Sequence, residues 1–234
     1  MAVNINSVYQ KVLAISNKEQ RGYITPQEFN LLADRAQNEI YENYFHQARN
    51  SNAKIKDDDT HTDSLEMIEA KLSPFLKSET NNNISSGIMT LPTDLYKLDI
   101  VKVGINLATE INKKEEHYIT SLGETGSVLY PKTSRPIFTR VSSTTIRITP
   151  DPGNSTSCTV TYYKEPTTPS FGYVVVNQKA LYNSNTSVDF ELASSEEEQL
   201  VSRILLLSGT IIKQPDIAQT GAAFLQQKNQ EQNS

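Results

Sequence analysis

The spacing of apolar residues changes twice along this chain of 234 residues. It follows a helical period near both ends and alternates from residue to residue in the middle third. A helix buries side chains that recur every three or four positions, whereas a half-buried strand buries every second one. The sequence therefore predicts an α+β fold, in which helices from both chain ends form a bundle and a small antiparallel β unit is inserted between them.

The clearest helix signal lies near the N-terminus. Thr25 is a natural N-cap, Pro26 suits the first helical position, and Glu28 completes a capping box. Apolar residues then recur at helical spacing on one face, namely Phe29, Leu32, Ala33, Ala36, Ile40 and Tyr44. The polar stretch 50–62 predicts a loop, and a shorter helix follows it. Residues 1–85 are predicted to form an N-terminal helical part.

β-branched residues and tyrosines, separated by proline and glycine, dominate the middle of the chain. Residues 145–149 alternate as a half-buried strand should. A strong turn signal at 150–154 follows, and residues 159–163 alternate again, which together predict a β-hairpin. Residues 86–192 are therefore predicted to be a β-rich insertion.

Three glutamates crowd the start of an apolar segment near the C-terminus. Ser194 or Ser195 can serve as N-cap, and the helix dipole favours the glutamates at 196–198 in the first turn. The residues that follow leave little polar face, so this helix is expected to be the most buried one. Residues 193–234 are predicted to pack on the N-terminal helices and to end in a flexible tail rich in glutamine and asparagine.

Composition excludes several classes of function. The 22 Lys and Arg residues face 27 Asp and Glu residues, and no basic patch is present, so direct gripping of DNA is not expected. Cys158 is the only cysteine, which excludes an intramolecular disulfide. No segment approaches the ~18 apolar residues of a membrane span, and the N-terminus lacks the apolar core of a secretory signal. A soluble protein made in the cytoplasm is expected.

The sequence offers no recognisable site for a metal ion, a nucleotide or another cofactor. His46, His61 and His117 lie too far apart for the paired spacing of a helical zinc site. The nine glycines never produce the spacing of a phosphate-binding loop. We therefore predict no enzyme, no cofactor and no metal.

Two acidic runs of the sequence are candidate sites for chemistry, because carboxylates can bind metals or transfer protons. Asp57, Asp59, His61 and Asp63 alternate like the opening of a calcium loop, but the turn glycine and the bidentate glutamate of such a loop are missing. The glutamates at 196–198 are explained by the start of a helix. A polar loop and a helix cap are therefore preferred, with a calcium site and a catalytic acid as alternatives.

Segments in the first half of the chain resemble known phage structural proteins. Residues 23–34, YITPQEFNLLAD, with EIY at 39–41 and YF at 44–45, resemble the opening of proteins encoded by crAss-like and marine short-tailed phages. Residues 91–96, LPTDLY, are similar to the LPxDxY motif with which the β portion of that family begins.

Later segments extend the resemblance. Residues 146–150, IRITP, and 160–166, VTYYKEP, resemble the strand, turn, strand and exit of tail tubular and head-to-tail adaptor proteins. Residues 190–209 resemble the returning helix of their helical bundle. This chain lacks the longer, aromatic-rich β portion of the larger tubular proteins, and its loop at 50–63 has no counterpart there.

The resemblance implies a structural subunit of the virion. Such proteins assemble with copies of themselves into a dodecameric ring between portal and tail, which seals and extends the DNA exit channel. The implied partners are further copies of the chain, the portal protein and other tail or ring proteins. DNA passes through the lumen without specific binding, and no membrane is involved.

Two other classes of protein remain as alternatives. A receptor-binding or fibre-attachment module is compatible with the eleven tyrosines, which are enriched at interfaces, although no repeats typical of fibres are visible. A tail-associated glycosidase would need two carboxylates across a cleft, and no pattern positions such a pair.

A partner interface is predicted at the start of the C-terminal tail. Phe224 and Leu225 would act as apolar anchors, while Gln226 and Gln227 would supply hydrogen bonds to a neighbouring tail or portal protein.

Overall fold

The computed structural model describes residues 2–17, 24–54, 60–81, 84–121, 130–153, 156–177, 179–211, 222–223 and 225–226. The chain forms two compact units: a helical unit, Met1–Pro74 with Pro166–Ser234, and a sheet unit, Phe75–Glu165. This division differs from the sequence-based one of 1–85, 86–192 and 193–234. The sheet unit begins eleven residues earlier, at Phe75, and the strands that follow residue 166 belong to the helical unit.

The helices are α1 (Ile5–Asn17), α2 (Pro26–Lys54), α3 (Thr60–Leu72), α4 (Lys113–Ser121) and α5 (Glu197–Ile211). The strands are β1 (Ala2–Val3), β2 (Leu76–Asn81), β3 (Ile84–Ser85), β4 (Ile88–Thr90), β5 (Leu95–Val103), β6 (Asn106–Glu110), β7 (Ile137–Arg140), β8 (Thr145–Thr149), β9 (Cys158–Lys164), β10 (Tyr173–Val176), β11 (Lys179–Tyr182) and β12 (Phe190–Ala193).

Helices from both chain ends pack together, as predicted. The helix α5 contacts both α1 and α2, and α3 packs on α2. The predicted apolar face of α2 is buried along its whole length. Polar contacts reinforce the junction of α1 and α5: the hydroxyl of Ser7 donates to Glu197 at 2.6 Å, and Lys11 lies 3.0 Å from the same carboxylate. The α+β class and the packed terminal helices are confirmed.

The start of α2 is held by the predicted capping box. The backbone N–H of Thr25 donates to Glu28 Oε2 at 2.9 Å, and the backbone N–H of Glu28 donates to Thr25 Oγ1 at 3.2 Å. The loop predicted at 50–62 is partly wrong, because α2 continues to residue 54 and α3 begins at residue 60. Residues 55–59 lie outside the described part of the chain.

The start of α5 differs from the prediction. The predicted N-cap residues Ser194 and Ser195 belong to a 3-10 turn, Ser194–Glu196, and no side chain caps the start of that turn. The helix α5 begins directly after it, at Glu197. Glu197 and Glu198 occupy the first turn of the helix, as expected. The next apolar residues of α5 are buried: Leu200, Val201, Ile204 and Leu205.

The prediction of a small antiparallel β unit is wrong. The sheet unit contains an eight-stranded, nearly closed sheet in the order β2-β9-β5-β6-β7-β8-β4-β3. All its pairs are antiparallel except β6 and β7, which are parallel. The strand β2 is exposed at almost every position, so its side chains show no alternation. Its place in the sheet comes from backbone pairing with β9.

The hairpin predicted across residues 150–154 is also wrong. The strand β8 pairs with β4 and β7, whereas β9 pairs with β2 and β5. The approach of β4 to β8 requires a glycine. The N–H of Ile148 donates to the carbonyl of Gly87 at 2.7 Å, and a Cβ on Gly87, whose φ is +73°, would lie 2.7 Å from the carbonyl oxygen of Ile148.

Candidate protein interface

A two-stranded hairpin in the helical unit is formed by β10 and β11. The strands pair antiparallel from Tyr173 opposite Tyr182 to Val176 opposite Lys179. No other described strand pairs with either of them. An isolated two-stranded hairpin is only marginally stable in water. Contacts of its base and its faces with the rest of the unit must therefore stabilise it.

The base of the hairpin is tied to α2 by one side chain. The backbone N–H of Phe171 donates to Asn30 Oδ1 at 2.7 Å, and Asn30 Nδ2 donates to the carbonyl oxygen of Phe171 at 3.3 Å. Both backbone groups of Phe171 are thus satisfied by a single amide, as they would be by a neighbouring strand.

An aromatic cluster holds the same point from the inside. The ring of Phe171 lies 4.3 Å from that of Tyr9 and 6.2 Å from that of Phe29, measured between centroids. The hairpin adds its own tyrosines, with Tyr182 at 5.3 Å and Tyr173 at 6.5 Å from Phe171. Aromatic pairs at these distances stabilise beyond their buried area, so the lower half of the hairpin is fixed to the bundle.

A second amide on α2 repeats this arrangement two turns further along. Gln37 is fully buried, its Nε2 donates to the carbonyl oxygen of Thr167 at 2.9 Å, and its Oε1 accepts from the N–H of Glu191 at 3.1 Å. Residues seven apart lie on the same face of a helix. One face of α2 therefore anchors the chain on both sides of the hairpin.

The two faces of the hairpin differ in their surroundings. Directly opposite residues of an antiparallel pair share a face, so Val174, Val176, Lys179 and Leu181 form one face, which we call the outer face. The other face contains Tyr173 and Tyr182, which contact Phe171.

The outer face is apolar and open to solvent. Val174, Val176 and Leu181 are 50%, 46% and 52% exposed, and Lys179 is exposed beside them. Val175 and Tyr182 of the opposite face are also exposed, at 62% and 36%. Exposed apolar residues that cluster in this way mark interaction sites. A rigid base and an apolar surface are what a protein interface needs, since little order is lost on binding.

A second apolar projection lies on the sheet unit. The turn between β5 and β6 places Ile105 at its tip, 96% exposed, and Leu107 follows at 59%. Gly104 allows this turn with a φ of +58°, in the left-handed region. A single apolar tip of this kind can insert into a partner pocket, but it is smaller than the hairpin surface.

A cleft between α4 and the strands β7 and β8 carries mixed charges. It has a volume of about 540 Å³, and Lys113, Glu116, His117 and Arg147 are among the residues that line it. Glu116 accepts a hydrogen bond from the hydroxyl of Thr139 at 2.9 Å and lies 4.0 Å from Arg147. These contacts give Glu116 a structural role in joining α4 to the sheet.

The acidic runs of the sequence are placed differently by the structure. Asp57 and Asp59 lie outside the described residues, while His61 and Asp63 belong to α3. Glu196 does not act in a helix start but is buried, with an exposure of 1%, and its Oε1 lies 2.8 Å from Lys71 Nζ.

The environment of Glu196 includes a buried tyrosine. Burial, and secondly the charge of Glu196, raise the pKa of Tyr44 well above its usual range. The Tyr44 hydroxyl has no hydrogen-bond partner among the described residues, and Lys71 Nζ lies 5.7 Å from the centre of its ring. The cluster joins α2, α3 and the turn before α5, and it is part of the bundle core.

The tail interface predicted from the sequence stays a prediction. Phe224 and Gln227 lie outside the described residues, whereas Leu225 is half-buried and Gln226 is exposed. The hairpin surface was missed as an interface, although its strands lie within the predicted β-rich insertion 86–192. The available signal was the run of three valines at 174–176: consecutive apolar residues in a strand make both of its faces apolar.

Cys158 is buried in β9, and burial raises the pKa of its thiol. Within the described ranges, no group of three His, Cys, Asp or Glu side chains is placed to hold a metal ion. None of the helices described is both long and apolar enough to cross a bilayer.

No protein-family model matches the chain, and no curated protein is significantly similar to it.

Proposed function

We propose that the chain is a structural subunit of the head-to-tail connector of a tailed phage. It assembles with copies of itself into a ring beside the portal protein, as an adaptor or tail-tube ring protein, and there seals and extends the DNA exit channel. The observation that carries this proposal is the outer face of the hairpin. A rigidly based, apolar, solvent-exposed surface calls for a protein partner, and a ring supplies one in every neighbouring subunit.

The positions of the resembling segments support the proposal. Residues 91–96 lie where the chain enters β5, and residues 160–166 end β9 and return the chain to the helical unit at Pro166. Of the segments that resemble head-to-tail adaptors, residues 160–166 thus span the passage from the sheet unit back to the helical unit, whereas residues 91–96 lie within the sheet unit.

The charge of the chain agrees with a conduit for DNA. The net charge is −5, so the protein as a whole repels a polyanion rather than retaining it. A wall past which DNA slides must avoid the tight phosphate contacts that clustered lysines and arginines provide.

The test is assembly with the portal protein of the same phage. Purified full-length protein, mixed with that portal, is expected to form rings in electron micrographs. A triple variant, Val174→Thr, Val176→Thr and Leu181→Thr, keeps the β-branched shape at two positions and should fold but lose ring formation. The control is Val141→Thr, which changes a valine of the sheet unit that is 38% exposed and should assemble normally.

Two outcomes would contradict the proposal. The triple variant could form rings as readily as the wild type, which would remove the hairpin from assembly. The wild-type chain could stay monomeric beside the portal and bind the tail fibre instead, which would favour a receptor-binding or fibre-attachment module.

A further inference from the structure

A second exposed surface of the helical unit lies on α3. Ile68 and Leu72 are buried on the inner side of this helix. On its other side Met67 is 64% exposed, and Glu66, Glu69 and Ala70 are exposed around it. Residues three and four apart are neighbours on a helix surface, so these four residues form one patch, which we call the α3 face.

The α3 face and the outer face of the hairpin are complementary. Each has an apolar part, Met67 with Ala70 on one and the valines with Leu181 on the other. The α3 face adds two carboxylates, Glu66 and Glu69, and the outer face adds the ammonium of Lys179. None of these three charges has an ion-pair partner in the described part of the chain.

Contacts between two identical faces are disfavoured by the same charges. Two hairpins that met by their outer faces would bring two copies of Lys179 together, and two α3 faces would bring four glutamates together. Juxtaposed like charges oppose association and act against wrong pairings. The charges therefore favour a contact between unlike faces.

The outer face and the α3 face of one chain are too far apart to contact each other. The hairpin base is held by Asn30, whereas α3 lies against the other end of α2, where Lys71 sits over the ring of Tyr44. Along α2, residues 30 and 44 are about 20 Å apart at 1.5 Å per residue. A separation of this kind places the two faces at different ends of the bundle, as a head-to-tail contact between copies requires.

We propose that the outer face of the hairpin binds the α3 face of a second copy of this chain. This inference rests on the proposed function, because it assigns the two surfaces through which neighbouring ring subunits meet. The valines and Leu181 cover Met67 and Ala70, and Lys179 lies against Glu66 and Glu69. When this contact between two different faces repeats from subunit to subunit, it produces a closed ring, provided that the rotation between neighbouring subunits divides a full turn.

A charge exchange tests this contact. Association of full-length protein, measured by sedimentation velocity with the portal present, is expected to weaken about fivefold for Lys179→Glu, the order expected of an exposed ion pair. The double variant Glu66→Lys with Glu69→Lys should weaken it similarly. Combining all three substitutions should restore association, because the pair is then reversed rather than broken. Lys102→Glu, at an exposed lysine of β5, is the matched control and should change nothing.

The outcomes separate this inference from the proposed function. Restoration in the triple charge variant supports the contact, because a general loss of folding or solubility would not be reversed by further substitutions. If no charge variant changes association while the threonine variant of the hairpin abolishes it, the hairpin binds another surface: the inference is wrong, and the ring function stands. Failure of the wild-type chain to assemble with the portal would overturn the ring function itself.

Discussion

Asn30 on α2 takes the place of a strand beside Phe171. Its side-chain amide accepts from the N–H of Phe171 at 2.7 Å and donates to the carbonyl oxygen of the same residue at 3.3 Å. The two residues are 141 positions apart in the sequence. Two residues after Phe171 the strand β10 begins, so this one amide fixes the point from which the hairpin projects.

The first prediction concerns this anchor. Asn30→Ala removes both bonds and leaves the backbone groups of Phe171 in a half-buried site. We expect a loss of about 1–3 kcal/mol in the free energy of unfolding. Amide hydrogen exchange should accelerate in β10 and β11 before it does in the bundle. Gln27→Ala, at an exposed position of the same helix, should leave both measurements unchanged, and an unaltered exchange rate in Asn30→Ala would show that the aromatic cluster alone holds the hairpin.

A second prediction addresses the buried ion pair. Lys71→Met removes the cation 2.8 Å from Glu196, a carboxylate only 1% exposed. Removing one partner of a buried pair is expected to cost about 3 kcal/mol, because the buried carboxylate loses the charge of Lys71. Chemical denaturation measures this cost. Arg35→Met breaks an exposed pair with Glu39 and should cost no more than about 0.5 kcal/mol; equal losses for the two variants would contradict the burial of Glu196.

The capping box provides a prediction that depends on pH. Thr25→Ala is expected to cost about 0.5–2 kcal/mol at pH 7. The Thr25 backbone N–H, and then its hydroxyl, lower the pKa of Glu28 from its usual 4.5. A lowered pKa means that the stabilisation is present above the unfolded-state value and is lost as the pH falls through the folded-state value. Because Ala keeps the backbone N–H and loses only the hydroxyl that donates to Glu28 Oε2 at 2.8 Å, denaturation at pH 7 and pH 3 should show a somewhat smaller cost in acid. A cost independent of pH would show that the Thr25 hydroxyl does not stabilise the Glu28 carboxylate.

Local features of the fold could be predicted from the sequence, because each of them depends on residues that are only a few positions apart in the chain. Thr25 and Glu28 are three positions apart, and the buried face of α2 follows from spacing within one helix. The alternation at 145–149 likewise predicted β8, where Ile146 and Ile148 are buried and Arg147 is exposed.

Strand pairing and the candidate interface depend on distant residues, and there the sequence was insufficient. The sequence predicted a hairpin across 150–154, yet β8 and β9 pair with other strands. The strand β10 lies within the predicted β-rich insertion, but its exposure follows from the lack of a third strand beside it among the described residues. Asn30, which anchors it, carries no local sign of a bond to a residue so far along the chain.

The last prediction concerns a buried hydroxyl in the sheet unit. The O–H of Tyr162 lies 2.8 Å from Asp94 Oδ1 and 3.0 Å from Glu79 Oε1, although it has a single proton to donate. Burial, and then the bonds to the two carboxylates, raise the pKa of Tyr162 above its usual range. Lys77 donates to Asp94 from the other side at 2.7 Å and is the main cause of the lowered pKa of that carboxyl.

Tyr162→Phe keeps the ring, which is fully buried, and removes only the hydroxyl. We expect a loss of about 1–2 kcal/mol at pH 7, because a carboxylate loses a charged hydrogen bond in a partly buried site. The pKa of Asp94 should rise, since one of the donors that lowers it is gone. The stability that Asp94 provides is present above its usual pKa of 3.8 and is lost as the pH falls below it, so the difference between variant and wild type should shrink in acid. Tyr118→Phe, at a tyrosine 61% exposed, controls for the loss of a hydroxyl; a variant as stable as this control at pH 7 would show that Lys77 alone stabilises Asp94.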